Sequence, residues 1–153
     1  MNELIKVIVF QLKDQAYGVE VAQVRSIERI QKITKVPRTS DFIKGVINLH
    51  GETTPVIDLK GRLQIAETEP SDDNRILIVA IDGVQVGLIV DSATEVKDID
   101  PSVIEEPPKM LKSIEDAFLK GVAKLEDGLL ILLDLEQVLN FNEAIEVKEV
   151  VKE

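Results

Sequence analysis

The sequence predicts a mainly β protein built as two small barrels packed side by side, and three observations predict it. Short apolar runs rich in Val and Ile recur along the chain, while aromatic residues are only 3%, a composition that suits pleated, half-buried strands. Turn-forming residues separate those runs. The chain also repeats itself. The stretch FIKGVINLHGETTPVIDLKGRL (42–63) returns as FLKGVAKLEDGLLILLDLEQVL (118–139), with eight identities in 22 positions at a shift of 76.

Taken in order, 6–12 is a solid apolar strand, 13–16 a turn and 17–21 a second strand. Val21, Val24 and Ile27 then fall every third residue, a spacing closer to a helical turn than to a strand. Val36-Pro37 ends an extended piece, because the residue before proline is pushed into the β region. In 42–63, Gly45–Leu49 and Thr53–Ile57 read as strands around the His50-Gly51 turn, and Asp58 stands where an N-cap would open a one-turn helix. In the second copy, Gly51 meets Gly128 at a shift of 77, which reads as a turn one residue longer.

The second half follows the same plan. Residues 75–81 are an apolar strand, Asp82-Gly83 a hairpin-type turn, and 84–96 a further extended run. Residues 7–27 match 76–96 at a constant shift of 69. The repeat therefore defines a first lobe of about 5–66, an acidic linker at 67–74, a second lobe of about 75–141 and a polar tail at 142–153. A barrel of some 60 residues is marginal alone. Two of them would bury a shared apolar seam, and the groove between them is a natural binding site.

Charge and cysteine usage exclude several functions. The formal net charge of −10 repels nucleic acid and anionic membrane surfaces. Without cysteine there is no disulfide, thiol nucleophile or zinc thiolate site. No apolar run reaches membrane-spanning length, and the N-terminus has no signal-peptide pattern. The expectation is a cytoplasmic protein with protein partners and no cofactor, metal or catalytic residue. An enzyme or small-ligand barrel would need a convergent polar cluster, and His50, the sole histidine, has no evident nucleophile to serve.

At this point the residues resemble a known family, the CheW-type coupling proteins of bacterial chemotaxis. The carriers are YGVEVAQVRSI (17–27), VP (36–37), the 42–63 stretch, VGLIVDSATEV (86–96), PP (107–108) and KGVAKLEDGLLILLDLEQVL (120–139). The resemblance implies two intertwined five-stranded SH3-like barrels with short helices. It implies a non-enzymatic adaptor that couples methyl-accepting chemoreceptors to the histidine kinase CheA, monomeric when free and recruited to receptor arrays at the inner face of the membrane. CheV-type adaptors and the kinase's own regulatory domain contain the same module. The length argues against both, because two barrels use up the 153 residues.

The resemblance also implies site residues. Val24, Ile27, Gly45, His50, Gly87 and Val96 are candidates for a receptor-binding groove, and Pro107, Pro108, Met110 and Leu111 for contact with the kinase regulatory domain. Each has a plainer reading. Val24, Ile27 and Val96 suit core packing as well as an exposed groove lining. The apolar run after Pro107 suits packing under the second barrel. Gly45, Gly51, Gly121 and Gly128 read as turn, bulge or close-packing glycines. Asp58 and Asp134 read as helix caps. His50 stands where the family has arginine. Imidazole is only partly charged near pH 7, which would weaken a pairing with an acidic receptor group.

Overall fold

The computed structural model describes residues 3–37, 43–63, 65–106 and 119–138, with Thr94 described in its backbone only. Among these residues eleven strands run in chain order. In the first repeat they are β1 (Ile5–Leu12), β2 (Gln15–Glu20), β3 (Val24–Arg29), β4 (Ile43–Leu49) and β5 (Glu52–Asp58), followed by a one-turn helix α1 (Leu59–Arg62). In the second they are β6 (Arg75–Ile81), β7 (Val84–Val90), β8 (Ser92–Ile99), the two-residue β9 (Ile104–Glu105), β10 (Leu119–Leu125) and β11 (Gly128–Leu133), followed by α2 (Leu135–Val138).

The strands form two sheets, and neither follows the repeat boundary. One sheet has the order β8-β1-β2-β11-β10-β9, the other β3-β6-β7-β5-β4. Each takes the first hairpin of one repeat and the later strands of the other, the intertwining that the resemblance implies. The fold is SH3-like, although neither sheet closes its ladder into a full barrel among the described residues. The extra strand β9 pairs Glu105 with Val122, and its counterpart in the other sheet is a single bridge between Thr34 and Val46.

Three cores explain the solid apolar runs. The largest lies between the sheets and takes Ile8, Phe10 and Leu12 from β1 with Leu77, Val79 and Ile81 from β6. The alternate residues face inward to each sheet's own smaller core. Val7 and Val9 join Leu130 and Leu132 in one, and Ile76 and Ile78 join Val56 and Ile47 in the other. A strand buried on both faces has no polar face to alternate. Phe10 stacks on Tyr17 at 6.0 Å inside the shared core.

Three local expectations need correction. Val21, Val24 and Ile27 are not one helical stretch. Only Val21–Gln23 forms a 3-10 turn, and Val24–Arg29 is a strand. The spacing of three arises from a β-bulge between Val24 and Ser26, after which Val24 pairs with Val79 and Ile27 with Leu77. A bulge inserts one residue and so turns a period of two into three. The second repeat has the same bulge, with Ala93 opposite Phe10 and Val96 opposite Ile8.

The two hairpin turns in the repeated stretch have equal length. Leu49 pairs with Glu52 and Leu125 with Gly128, with two residues between them in each case. What differs is conformation. His50 and Gly51 both have positive φ, 53° and 83°, as a type I′ turn demands. In the other turn positive φ is delayed to Gly128.

The two aspartates also part ways. Asp134 accepts backbone N–H bonds from Glu136 at 3.1 Å and Gln137 at 3.4 Å and so caps α2. Asp58 makes no side-chain cap bond. Its carboxylate lies 3.8 Å from the Lys44 ammonium instead.

Candidate functional site

The seam between the sheets positions the surface that matters. β3 and β8 are the outer strands on one side of each sheet. Residues paired directly across neighbouring strands share a face. Ile27 is paired with Leu77 and Val96 with Ile8, and both Leu77 and Ile8 belong to the shared core. Ile27 and Val96 therefore face the seam. They lie beyond its covered part, 45% and 58% exposed. Val24 faces the same way and is half-buried, packed against the shared core. Ile30, just past the end of β3, is also exposed, at 46%.

Gly45 and Gly87 stand in one row across the second sheet. The row runs Ser26, Ile78, Gly87, Val56, Gly45 through direct pairings. Both glycines are buried, and both stand where other atoms of the chain approach closely. A Cβ on Gly87 would lie 2.7 Å from Ile76 Cγ2. A Cβ on Gly45 would lie 2.1 Å from the Thr34 carbonyl oxygen, and its φ is 146°. Here Thr34 is hydrogen-bonded antiparallel to Val46 of β4, so backbone meets backbone with no room for a side chain. Gly18 and Gly121 fill the matching places in the other sheet.

His50 is exposed at the tip of the β4–β5 hairpin. Five residues from Gly45, it stands about 17 Å farther along the strand at the usual rise. The structure thus brings Val24, Ile27, Gly45 and Gly87 into one sheet, sets Val96 on the other, and leaves His50 apart. Pro107, Pro108, Met110 and Leu111 lie outside the described residues.

Polar side chains tie both edge strands down on the faces turned away from the seam, since Gln85 pairs with Ala80, between the shared-core residues Val79 and Ile81, and Lys97 pairs with Val7 of a smaller core. Beside Ile27, Arg25 donates to Gln85 Oε1 at 2.7 Å, and Gln85 donates on to the buried Thr54 hydroxyl at 2.8 Å. This chain ties β3 to β7 and β5. Beside Val96, the Lys97 ammonium sits 3.7 Å from Glu95 and 3.2 Å from Asp127. Its hydrogen bond holds the Asp127 carboxyl below the usual carboxylate range.

Sequence reasoning did not single out a largely buried ion pair. Lys60 on α1 donates to Asp91 Oδ1 and to the Thr68 hydroxyl, each at 2.6 Å. The Asp91 carboxylate also accepts from the Lys13 backbone N–H at 2.6 Å, and its backbone carbonyl accepts from Asn74 Nδ2 at 3.0 Å. Burial pushes the Asp91 carboxyl up. The Lys60 bond, the Lys13 N–H, the Lys60 charge and the Thr68 hydroxyl together outweigh it and hold the group below its ordinary value. The knot fastens the linker and α1 to the β7–β8 corner. The second repeat has exposed Glu136 in place of Lys60, so nothing in the repeat pattern marks it.

Among the described residues, no group of three or more potential metal ligands gathers, and no helix is long and apolar enough to cross a membrane.

Comparison with known proteins agrees with this architecture. Residues 6–143 match the family model for the CheW-like domain. The chain is 42% identical over 135 residues to the chemotaxis protein CheW of Bacillus subtilis, covering 88% of this chain and 86% of that one. It is 33% identical over 147 residues to CheW of Klebsiella aerogenes, covering 95% and 87%. Among solved structures, the scaffolding protein CheW of Thermoanaerobacter tengcongensis superposes with a TM-score of 0.83 at 41% identity, over 94% of this chain and 91% of that one. Matching over nearly the whole length, the chain belongs to the CheW-like domain family.

Proposed function

We propose that this protein is a non-enzymatic chemotaxis adaptor that couples chemoreceptors to the histidine kinase CheA. The cytoplasmic receptor tip binds along the seam rims on β3 and β8, and the kinase regulatory domain binds elsewhere on the surface. The observation that carries the reading is the pair Ile27 and Val96. They occupy equivalent positions in the two repeats, face the shared core, and remain exposed on opposite sheets. Apolar side chains continuous with a core are what an amphipathic helical hairpin covers on docking. Membership of the CheW-like family supports the same reading.

In this reading Val24, Ile27 and Val96 supply apolar contact. Gly45 and Gly87 act through the backbone shape they permit, and His50 meets the partner at its margin. Pro107, Pro108, Met110 and Leu111 form the kinase contact. The protein is cytoplasmic, monomeric when free, and drawn to receptor arrays at the inner face of the membrane.

The test is titration of the purified protein with a receptor-tip fragment and, separately, with the kinase regulatory domain. Both are expected to bind, and adding the protein to receptor and kinase together should change kinase autophosphorylation. Binding to neither partner would overturn the proposal. A His50→Arg variant should bind the receptor fragment a few-fold more tightly, since arginine brings a permanent charge and a planar fork of donors suited to a carboxylate. An unchanged affinity would remove His50 from the contact.

A further inference from the structure

The exchange of strands between the repeats has a consequence for how the chain holds together. Among the described residues, no ladder joins the β1–β2 hairpin to β3, β4 or β5, and none joins β6–β7 to β8, β10 or β11. Apart from the two-residue β9–β10 pairing and the single Thr34–Val46 bridge, every pairing that extends a hairpin into a sheet crosses the linker. β1 pairs with β8 and β2 with β11, while β3 pairs with β6 and β5 with β7. The shared core likewise draws Ile8, Phe10 and Tyr17 from one repeat and Leu77, Val79 and Leu88 from the other. A half-chain alone would keep two separate hairpins and a lone strand, with the core faces of all of them in water. Isolated hairpins of that kind are marginal.

We propose that the two halves of this chain are obligate partners, each presenting an interaction surface that fits the other half, and that they assemble in trans when the linker is cut. The surface on the first half is the free edge of β1 and β2 with the free edges of β3 and β5. On the second half it is β8 and β11 with β6 and β7. The linker adds proximity and no strand pairing; its Thr68 and Asn74 side chains bond to Asp91 and fasten it at the β7–β8 corner.

The experiment inserts a protease site between Asp72 and Asp73, both exposed, in the full-length chain, folds it and then cuts it. At about 10 μM, far below the millimolar effective concentration that a short linker provides, the cut chain is expected to elute as one species with the uncut chain's mass and strand circular dichroism. Separated in urea and returned to buffer, the fragments should recover that signal together and not singly. Fragments that part after cutting would overturn the proposal, as would either fragment refolding alone. Native-state hydrogen exchange on the unmodified chain decides the matter should the insertion itself prevent folding. Protection of β1 and β2 should be lost together with that of β8 and β11. Loss of protection throughout β1–β5 while β6–β11 retain theirs would overturn it.

Discussion

Replacing Asp91 with alanine tests the Lys60–Asp91 knot. The Asp91 side chain is 16% exposed and that of Lys60 9%, with 2.6 Å between charged atoms. Asp91→Ala would leave the Lys60 ammonium buried with the Thr68 hydroxyl as its remaining partner, and would orphan the Lys13 N–H. Removing one partner of a buried pair costs about 3–5 kcal/mol. Because Thr68 remains and the site is not fully closed, the lower end applies, about 3 kcal/mol. For a chain of this size that corresponds to a fall in Tm of roughly 6–12 °C. The assay is urea unfolding by circular dichroism, with the slope checked for constancy.

Two controls sharpen the test. Asp91→Ala combined with Lys60→Met should recover much of the loss, because no charge is then stranded. The acid limb provides the second. The folded-state value of Asp91 is lowered, so its contribution is complete above the ordinary aspartate value of about 3.9. It is lost as pH falls below that through the folded-state value. Wild type should therefore lose its stability advantage over Asp91→Ala on acidification. The reasoning is refuted if Asp91→Ala stays within about 0.5 kcal/mol of wild type, the usual range for a surface change.

Other outcomes follow from the same contacts. Gly45→Ala should cost about 3 kcal/mol or more by thermal melting, since both positive φ and the Thr34 carbonyl oppose a Cβ there. Gly128→Ala, with open space around it, should cost about 1–2 kcal/mol from backbone strain alone. Asp134→Ala should lower stability by about 1 kcal/mol through loss of the α2 cap. Ile27→Asp and Val96→Asp should leave Tm nearly unchanged, both sites being about half exposed, yet each should weaken receptor-fragment binding at least tenfold in a titration. Full affinity in both variants would remove the seam rims from the contact.

Strand positions were legible in the sequence because local composition and turn chemistry govern them. The runs 7–10 and 76–81 are apolar throughout because β1 and β6 are buried on both faces there, and Asp82-Gly83 sits at a positive-φ turn as that pair suggests. The duplication was legible for the same reason, since equal folds impose equal burial patterns. Where local reading erred, a short-range competitor intervened. A bulge imitates helical spacing at Val24–Ile27. At Asp58 the nearby Lys44 ammonium stands in place of a cap bond.

Partnership across distance was not legible. Periodicity states that Ile8 and Leu77 are buried, but not that they meet in a core shared by both repeats. Nor does it state that β1 lies against β8 rather than β3. The same limit hid the Lys60–Asp91 pair, whose members are 31 residues apart, and it hid the exposure of Ile27 and Val96, ordinary core residues by type. Local sequence sets backbone preference and which side chains avoid water. Only the closing of the two sheets on one another decides which of those side chains are covered and which remain on the rim for a partner.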